Sequence, residues 1–534
     1  MLLDTEVLTG AKGKRNQARW LAWTALALAL SFAVVLVISA YDAGPILRAR
    51  VIRTLADRFQ SQVELGAFHV TIQNGFHVSG QDLRIYGKRD PNTHQPGLQP
   101  LIAIASFRFT IGWWNLLHTP THVDTVHLQG LSLNIPPAGD RQQITSMRKH
   151  GKGKIYVDHF EGDHAELVIN TSRPGKLPLV FDVQNLVMDN GGSEGGINFE
   201  ADLVNPKPVG MIHAIGEFGP FNENSPQDTP VEGTYSFSGA DLSTIKGIAG
   251  ILSSVGRYSG SLDNIVVDGK TETPDFKVAR SGHAVPLTTE FHAIVDGTTG
   301  DTYLQPVTAK IIHSSLIARG SVVKVANPAG HRVTLTVEIG AGQIEDLLKL
   351  GVRTDPPVMT GKVRLLTKFD LPTGEEDLSD RLRLAGNFEV SGAHFSNDKI
   401  QDKIGALSLR SQGKPKLAKT ELADLIQAQV GGTFRLKSGM LSFSALQFTV
   451  PGTEVTMTGR YSLDGNEFDF HGKARLQAKL SHMTTGFKSI LLKPVDPLFS
   501  KNGAGTELPV KITGTKSEPH FGLDFGHHEA KHDE

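Results

Sequence analysis

Ser243-Thr244-Ile245-Lys246 and Ser411-Gln412-Gly413-Lys414 each match Ser-x-x-Lys, the spacing that could pair a nucleophile with its own base. In serine acyl-transfer sites that pair works with Ser-Asp-Asn and Lys-Thr-Gly motifs, which are missing here, so neither tetrad predicts an acyl-enzyme. Histidine is abundant, at 21 of 534 residues. His118, His122 and His127 are close in sequence, but Pro120 breaks any helix that would align the first two, which leaves solvated loop and strand histidines as the expectation. Asp158-His159 and Asp163-His164 are adjacent pairs, and neighbours on a strand point to opposite faces. The terminal stretch from Gly526, with His527, His528 and His532, reads as a solvated tail that takes divalent metal only adventitiously. Glu375-Glu376-Asp377 reads as a polar turn, and nothing nominates the two separated acids of a glycosidase. No phosphate loop or G-x-G-x-x-G occurs. The expectation is a protein that is not an enzyme, with no catalytic, cofactor or metal residues.

The composition points the same way. A net charge of −1 gives no support to nucleic-acid binding. Cysteine is absent, which removes disulfides, thiolate metal sites and thiol nucleophiles. Glycine, 56 of 534 residues, falls mostly at strand ends and turns. The length alone is that of about three domains.

The elements behind these residues read as strands. In Gly431 to Leu480, apolar residues alternate: Leu441 and Phe443, then Leu446, Phe448 and Val450, then Val455, Met457, Gly459, Tyr461 and Leu463. Period two places them on one face of a strand row, and Pro451-Gly452 and Asp464-Gly465 are the turns between antiparallel neighbours. His331–Gly340 is the cleanest alternation, with Val333, Leu335, Val337 and Ile339 in phase. Further strands are expected at Val63–Ile72, Phe76–Tyr86, Ile102–Thr110, Val123–Ile135 (with a bulge at Gly130), Ile155–Phe160 and Ala165–Ile169. Short helices are expected over Leu242–Val255, Ile344–Leu350 and Met483–Leu492. Pro45–Gln60 reads as an amphipathic helix whose stripe caps a sheet or lies on a bilayer.

Leu21–Ala40 carries no charge over a length that spans a bilayer's hydrocarbon core, after Lys12, Lys14, Arg15 and Arg19. It is expected to be a retained anchor with the N-terminus cytoplasmic and the bulk of the chain periplasmic. The competing reading is a signal peptide cleaved after Ala40.

Four stretches share the pattern Gly-x-aromatic-x-apolar followed by glycine: EGTYSFSGADL at 232, AGNFEVSGAHF at 385, GGTFRLKSGML at 431 and TGRYSLDGNEF at 458. Together with the anchor, the opening VELGAFHVTIQNGFHVSGQDLRIYG and the ending PVDPLFSKNGAGTELPVKITGTKSEPHFGLDF, they make the chain resemble the AsmA family of bacterial envelope proteins over about residues 20–90 and 380–525. Gly503, Gly505, Leu508-Pro509-Val510, Ile512-Thr513-Gly514-Thr515 and Pro519 mark the ending. The resemblance implies an inner-membrane protein with an elongated, curved antiparallel sheet, groove-like, and a few short capping helices. It implies a cytoplasmic segment 1–19, an anchor 20–41, an N-terminal region 42–180, a middle region 181–380, a C-terminal AsmA-like domain 381–525 and a tail 526–534.

The function expected is the binding or movement of phospholipid, or another acyl-chain lipid, along an apolar groove in lipid transport or outer-membrane assembly, with envelope protein partners. Residues expected to line the groove are Val333, Leu335, Val337, Ile339, Leu441, Phe443, Phe448, Val450, Val455 and Met457. The alternative is a periplasmic β-scaffold with a closed core, which binds protein partners and carries no lipid. An exported carbohydrate-active enzyme stands third.

Overall fold

A computed structural model describes parts of residues 45–56 and most of 61–524. Residues 1–44 and 525–534 lie outside it, as do 73–74, 87–99, 113–120, 136–154, 171–177, 190–195, 221–225, 280–281, 420–424, 464–466, 484–504 and 516–518. The expected anchor, His118, the helix at Met483–Leu492 beyond residue 483, and the His-rich tail therefore fall outside the described residues. Among the described residues, no helix is long and apolar enough to cross a membrane. The chain is mainly β, with antiparallel pairing among the described strands and few short helices, and it divides into two compact units.

The first unit comprises residues 1–168 and 182–199. Strands β1 (Val63–Glu64) and β2 (Phe68–Ile72) both pair with β3 (Phe76–Tyr86), which pairs with β4 (Pro100–Ile111), and β4 with β5 (Thr121–Ile135). The strand expected over Val63–Ile72 is split because Asp82, beside Gly66, is left-handed at φ 52° and interrupts the ladder. The bulge expected at Gly130 is not one. Pairing keeps its register on both sides, Ile104 with Leu131 and Ser106 with Gln129, and Gly130 turns left-handed at φ 63° with no residue inserted. Strands β6 (Ile155–Ile169), a single strand where two were expected, and β7 (Leu179–Asp189) follow, and β8 (Ile197–Pro206) passes into the second unit at Glu200. Val51, Ile52, Leu55 and Ala56 of the N-terminal helical segment pack on Val63, Leu65, Leu83 and Ile85, so this stripe caps the first strands.

The second unit comprises residues 169–181 and 200–534. It runs through β9 (Val209–Phe218), β10 (Pro230–Asp241), β11 (Ile248–Ala249), β12 (Ile251–Ser261), β13 (Asn264–Val278), β14 (Ala284–Asp296), β15 (Asp301–Ile311) and β16 (Ser314–Ala326). It continues through β17 (Ala329–Gln343), β18 (Met359–Leu371), β19 (Arg383–Phe395), β20 (Ala428–Lys437), β21 (Met440–Val450), β22 (Thr453–Ser462), β23 (Phe468–Leu476), β24 (Thr506–Gly514) and β25 (Pro519–Leu523). Apart from the short β11, which pairs with β13, each strand pairs with the next in sequence, so this is an uninterrupted meander.

Helix α1 (Ile344–Gly351) matches the expectation at 344–350. Helix α2 (Leu378–Arg381) is one turn, and α3 (Asp398–Ser411) begins at Asn397, whose side chain accepts from the Ile400 N–H. The helix expected over Leu242–Val255 is replaced by a 3-10 turn and strands β11 and β12. Gly247 and Gly250 carry φ of 97° and 130° there, which a helix cannot continue through. The main core cluster joins Ile339, Val363, Val390, Ala393, Ala428 and Val450, and Ile344, Leu347 and Ile404 of α1 and α3 pack on it.

Strands β10 and β13 end at one edge of the sheet, whereas β18 ends at the other. Yet Lys246 Nζ, just after β10, donates to Glu375 O at 2.7 Å, and Leu378 N donates to Lys246 O at 3.3 Å. Opposite edges of the same sheet meet at this seam.

Candidate functional site

Side-chain phase can be carried from strand to strand through the pairing registers, because paired residues share a face. Starting from Val337, the neighbours are Ala318 on β16 and Thr367 on β18, and the row continues to Gly386 and Phe434. All ten residues expected to line one surface do fall on one face: Val333, Leu335, Val337 and Ile339 on β17, Leu441, Phe443, Phe448 and Val450 on β21, and Val455 and Met457 on β22. Ile339, Phe448 and Val450 belong to the core cluster with Ile344, Leu347 and Ile404, so helices α1 and α3 already cover their end of the face. The other seven are outside that cluster, half-buried apart from the buried Met457.

From β9 to β24 this face holds no Asp, Glu or Arg in phase; Lys324 and its partner His331 sit at the sheet edge. The opposite face carries the charges as cross-strand pairs: Lys270 to Glu290 at 2.6 Å, Arg332 to Asp370 at 3.0 Å, Lys473 to Glu507 at 3.1 Å and Arg475 to Glu507 at 3.2 Å. Solvent-facing pairs such as Lys270–Glu290 contribute little to stability by themselves. Their role is to keep that face wet and to fix the register.

The Gly-x-aromatic repeat acquires a physical meaning on this face. Its glycine and aromatic are two residues apart, so Gly233 and Tyr235, Gly386 and Phe388, Gly432 and Phe434, and Gly459 and Tyr461 all lie on the uncharged side. The rings of Phe388 and Phe434, Phe388 and Phe443, and Phe443 and Phe470 are 6.1, 6.2 and 5.8 Å apart. Phe388, Phe434 and Phe470 were not among the expected lining residues, though the repeat that contains the first two was the signal for them. The repeat's trailing glycine, Gly239 or Gly392, sits left-handed at φ 64° or 65° within a β-bulge near the strand end.

The candidate catalytic groups are accounted for structurally. Ser243 N bonds the Asp241 carboxylate, which is held below the usual carboxylate range by these bonds from Ser243, while Lys246 is engaged by Glu375. Ser411 is fully buried and accepts from Thr453 Oγ1 at 2.7 Å, and Lys414 donates to Gln412. Neither tetrad forms a serine–lysine pair. His159 bonds Asp189 at 2.6 Å and Glu161 at 3.3 Å, and His127 lies 2.6 Å from Glu161. Among the described residues no group of three or more His, Asp or Glu side chains is placed to hold a metal.

His471 on β23 bonds Asp524 through Nδ1 at 2.7 Å and Asp469 through Nε2 at 3.0 Å. The hydrogen bond that the ring donates to Asp524, with Asp469 adding to it, raises the imidazole above its ordinary value. A raised value means that the stabilisation is complete below pH 6.5 and fades as pH climbs through the folded-state value. Urea midpoints of the protein are expected to fall between pH 6 and pH 8 by more than those of His471→Gln, in which that slope flattens. Parallel slopes for the two proteins would show that the contact carries no linkage.

No protein-family model matches this chain, and neither the curated proteins nor the solved structures include a match to it.

Proposed function

We propose that the uncharged face lines a groove that holds the acyl chains of phospholipid or a similar lipid, in a non-enzymatic protein of the bacterial envelope. The observation that carries this reading is the charge segregation: an uncharged, aromatic-bearing face runs unbroken from β9 to β24, while ion pairs crowd the other side. Among the described residues of the second unit, only α1, α3 and short turns accompany the strands. Alternating half-buried and exposed residues along β18 and β19 fit a sheet bent toward its apolar side, and so does the seam where opposite edges meet. At ~4.8 Å per strand the face is on the order of 70 Å wide, enough for several lipids side by side.

An exposed apolar face of this size demands a cover, and each acyl CH₂ taken from water contributes about 0.8 kcal/mol. Such a wall discriminates little between chains. The resemblance to the AsmA family supports the rest: an inner-membrane anchor, a periplasmic location and a part in lipid transport or outer-membrane assembly.

The test is native mass spectrometry with lipid extraction on the full chain purified from bacterial membranes, beside Leu335→Asp and Phe443→Asp. Co-purifying phospholipid, lost in both variants while the far-UV circular dichroism is kept, is the expected result. A lipid-free protein that also takes up no labelled phospholipid would overturn the groove. A second reading, a scaffold for protein partners, has one observation in its favour. Met211, Ile215, Ile251 and Val255 are exposed on the opposite, charged face of β9 and β12.

A further inference from the structure

The uncharged face is not chemically uniform. On β12, β13 and β14 three hydroxyl residues, Ser254, Thr271 and Thr289, stand side by side in register. Beside that row lie Tyr235, Gly256, Gly269 and Phe291, and in the next lie Gly233, Tyr258, Val267 and Ala293. The glycines let both tyrosine rings lie across the sheet. A Cβ built on Gly216 or Gly233 would fall 2.7 or 2.5 Å from the Tyr258 hydroxyl, and one on Gly256 or Gly269 would fall 2.9 or 2.7 Å from that of Tyr235. Any side chain at these four positions would lift the rings off the strands.

The hydrogen bonds in this patch do not close. Ser254 Oγ donates to Lys270 O at 3.0 Å and so accepts from the Tyr235 hydroxyl at 3.1 Å. Thr271 Oγ1 and Thr289 Oγ1 are 2.6 Å apart, and one hydroxyl donating to the other leaves the second proton without an acceptor. Tyr258 makes no hydrogen bond among the described residues, and burial pushes its phenol up to about 12, so it stays a proton donor at every working pH. Tyr258, Thr271 and Thr289 are half-buried, within reach of water; an acyl chain laid over them would remove that water, at a cost unless the ligand accepts from them. The acceptor must be neutral or weakly charged, because the face offers no cation in phase to hold a phosphate here.

We infer that Tyr258 and the Thr271–Thr289 pair form a polar station in the apolar face that donates hydrogen bonds to the carbonyl oxygens of ester-linked lipids. This rests on the lipid-carrying reading and adds to it a preference for the linkage rather than the chain. The headgroup phosphate then stays out of the groove, and the carbonyls set how deep each acyl chain sits.

The experiment is a competition between diester phosphatidylglycerol and its diether analogue, which lacks the carbonyls, at equal concentration on the delipidated full chain, read by native mass spectrometry. One hydrogen bond at the usual net strength corresponds to roughly a 3- to 10-fold preference for the ester, and two to about 30-fold. Tyr258→Phe, and separately Thr271→Val with Thr289→Val, are each expected to reduce it, and all three together to abolish it with ether lipid bound as before. Equal retention of the two lipids by the unaltered protein, or a preference untouched in the triple variant, overturns the station and leaves the groove standing. Retention of neither lipid overturns the lipid-carrying reading itself.

Discussion

Gly320→Ala is expected to destabilise the second unit by about 4 kcal/mol, the sum of a backbone held in a region closed to L residues and a forced close contact. Gly320 sits in β16 opposite Leu335 with φ 155°, and a Cβ there would run into Thr334 O and lie 2.8 Å from the Leu335 Cα. Those are backbone atoms of a paired strand, and they can yield only by breaking the ladder between β16 and β17. The control is Gly340→Ala in the bulge of β17, where a Cβ meets nothing within 4 Å and the expected change is small. Urea unfolding followed by far-UV circular dichroism is the measurement, since all four tryptophans fall within residues 20–114 and do not report on this unit. Equal midpoints for Gly320→Ala and Gly340→Ala would show that the close approach is absent in solution.

Asp346→Ala comes next, at about 3 kcal/mol, because it strips a buried carboxylate from the His313 N–H, which then has no acceptor, and leaves the Ser314 hydroxyl only the long bond to Gln343 O at 3.4 Å. Asp346, only 2% exposed on α1, accepts from the His313 N–H at 3.0 Å and the Ser314 hydroxyl at 2.8 Å. Both donors belong to the turn between β15 and β16, so this one side chain fastens the helix to a hairpin that is not its sequence neighbour. Ile344 and Leu347 on the same helix cover the core cluster, and its loosening exposes Ile339 and Val363. Asp346→Asn keeps one acceptor and is expected to recover part of the loss. Hydrogen exchange should show the faster opening confined to α1 and the β15–β16 turn; a uniform change across the unit would mean that the carboxylate acts on something other than this contact.

Much of this was legible in the chain. Period-two alternation gave the strands and the common face of the ten apolar residues, because a strand's side-chain phase is local and needs no partner to define it. The helix at 344–351 was legible for the same reason, with Ile344, Leu347 and Leu348 at helical spacing. At Leu242–Val255 the spacing misled, because periodicity ignores backbone conformation and Gly247 and Gly250 take angles that no helix admits. Helix α3 went unread although Asn397 is a good cap, since its buried side includes Gln401, Ser408 and Ser411 and so breaks the apolar stripe.

The sequence by itself determined the alternation that separates an apolar face from a polar one along each strand. Only the tertiary structure decided which strands pair, and therefore that Phe388, Phe434 and Phe470 join the same face as Val337. It also decided that Lys246 spans to Glu375, and that the glycines of four strands clear the space for two tyrosines. Those facts depend on register and on contacts between residues far apart in sequence. A strand's own residues specify which way each side chain points, but not which strand it will point beside.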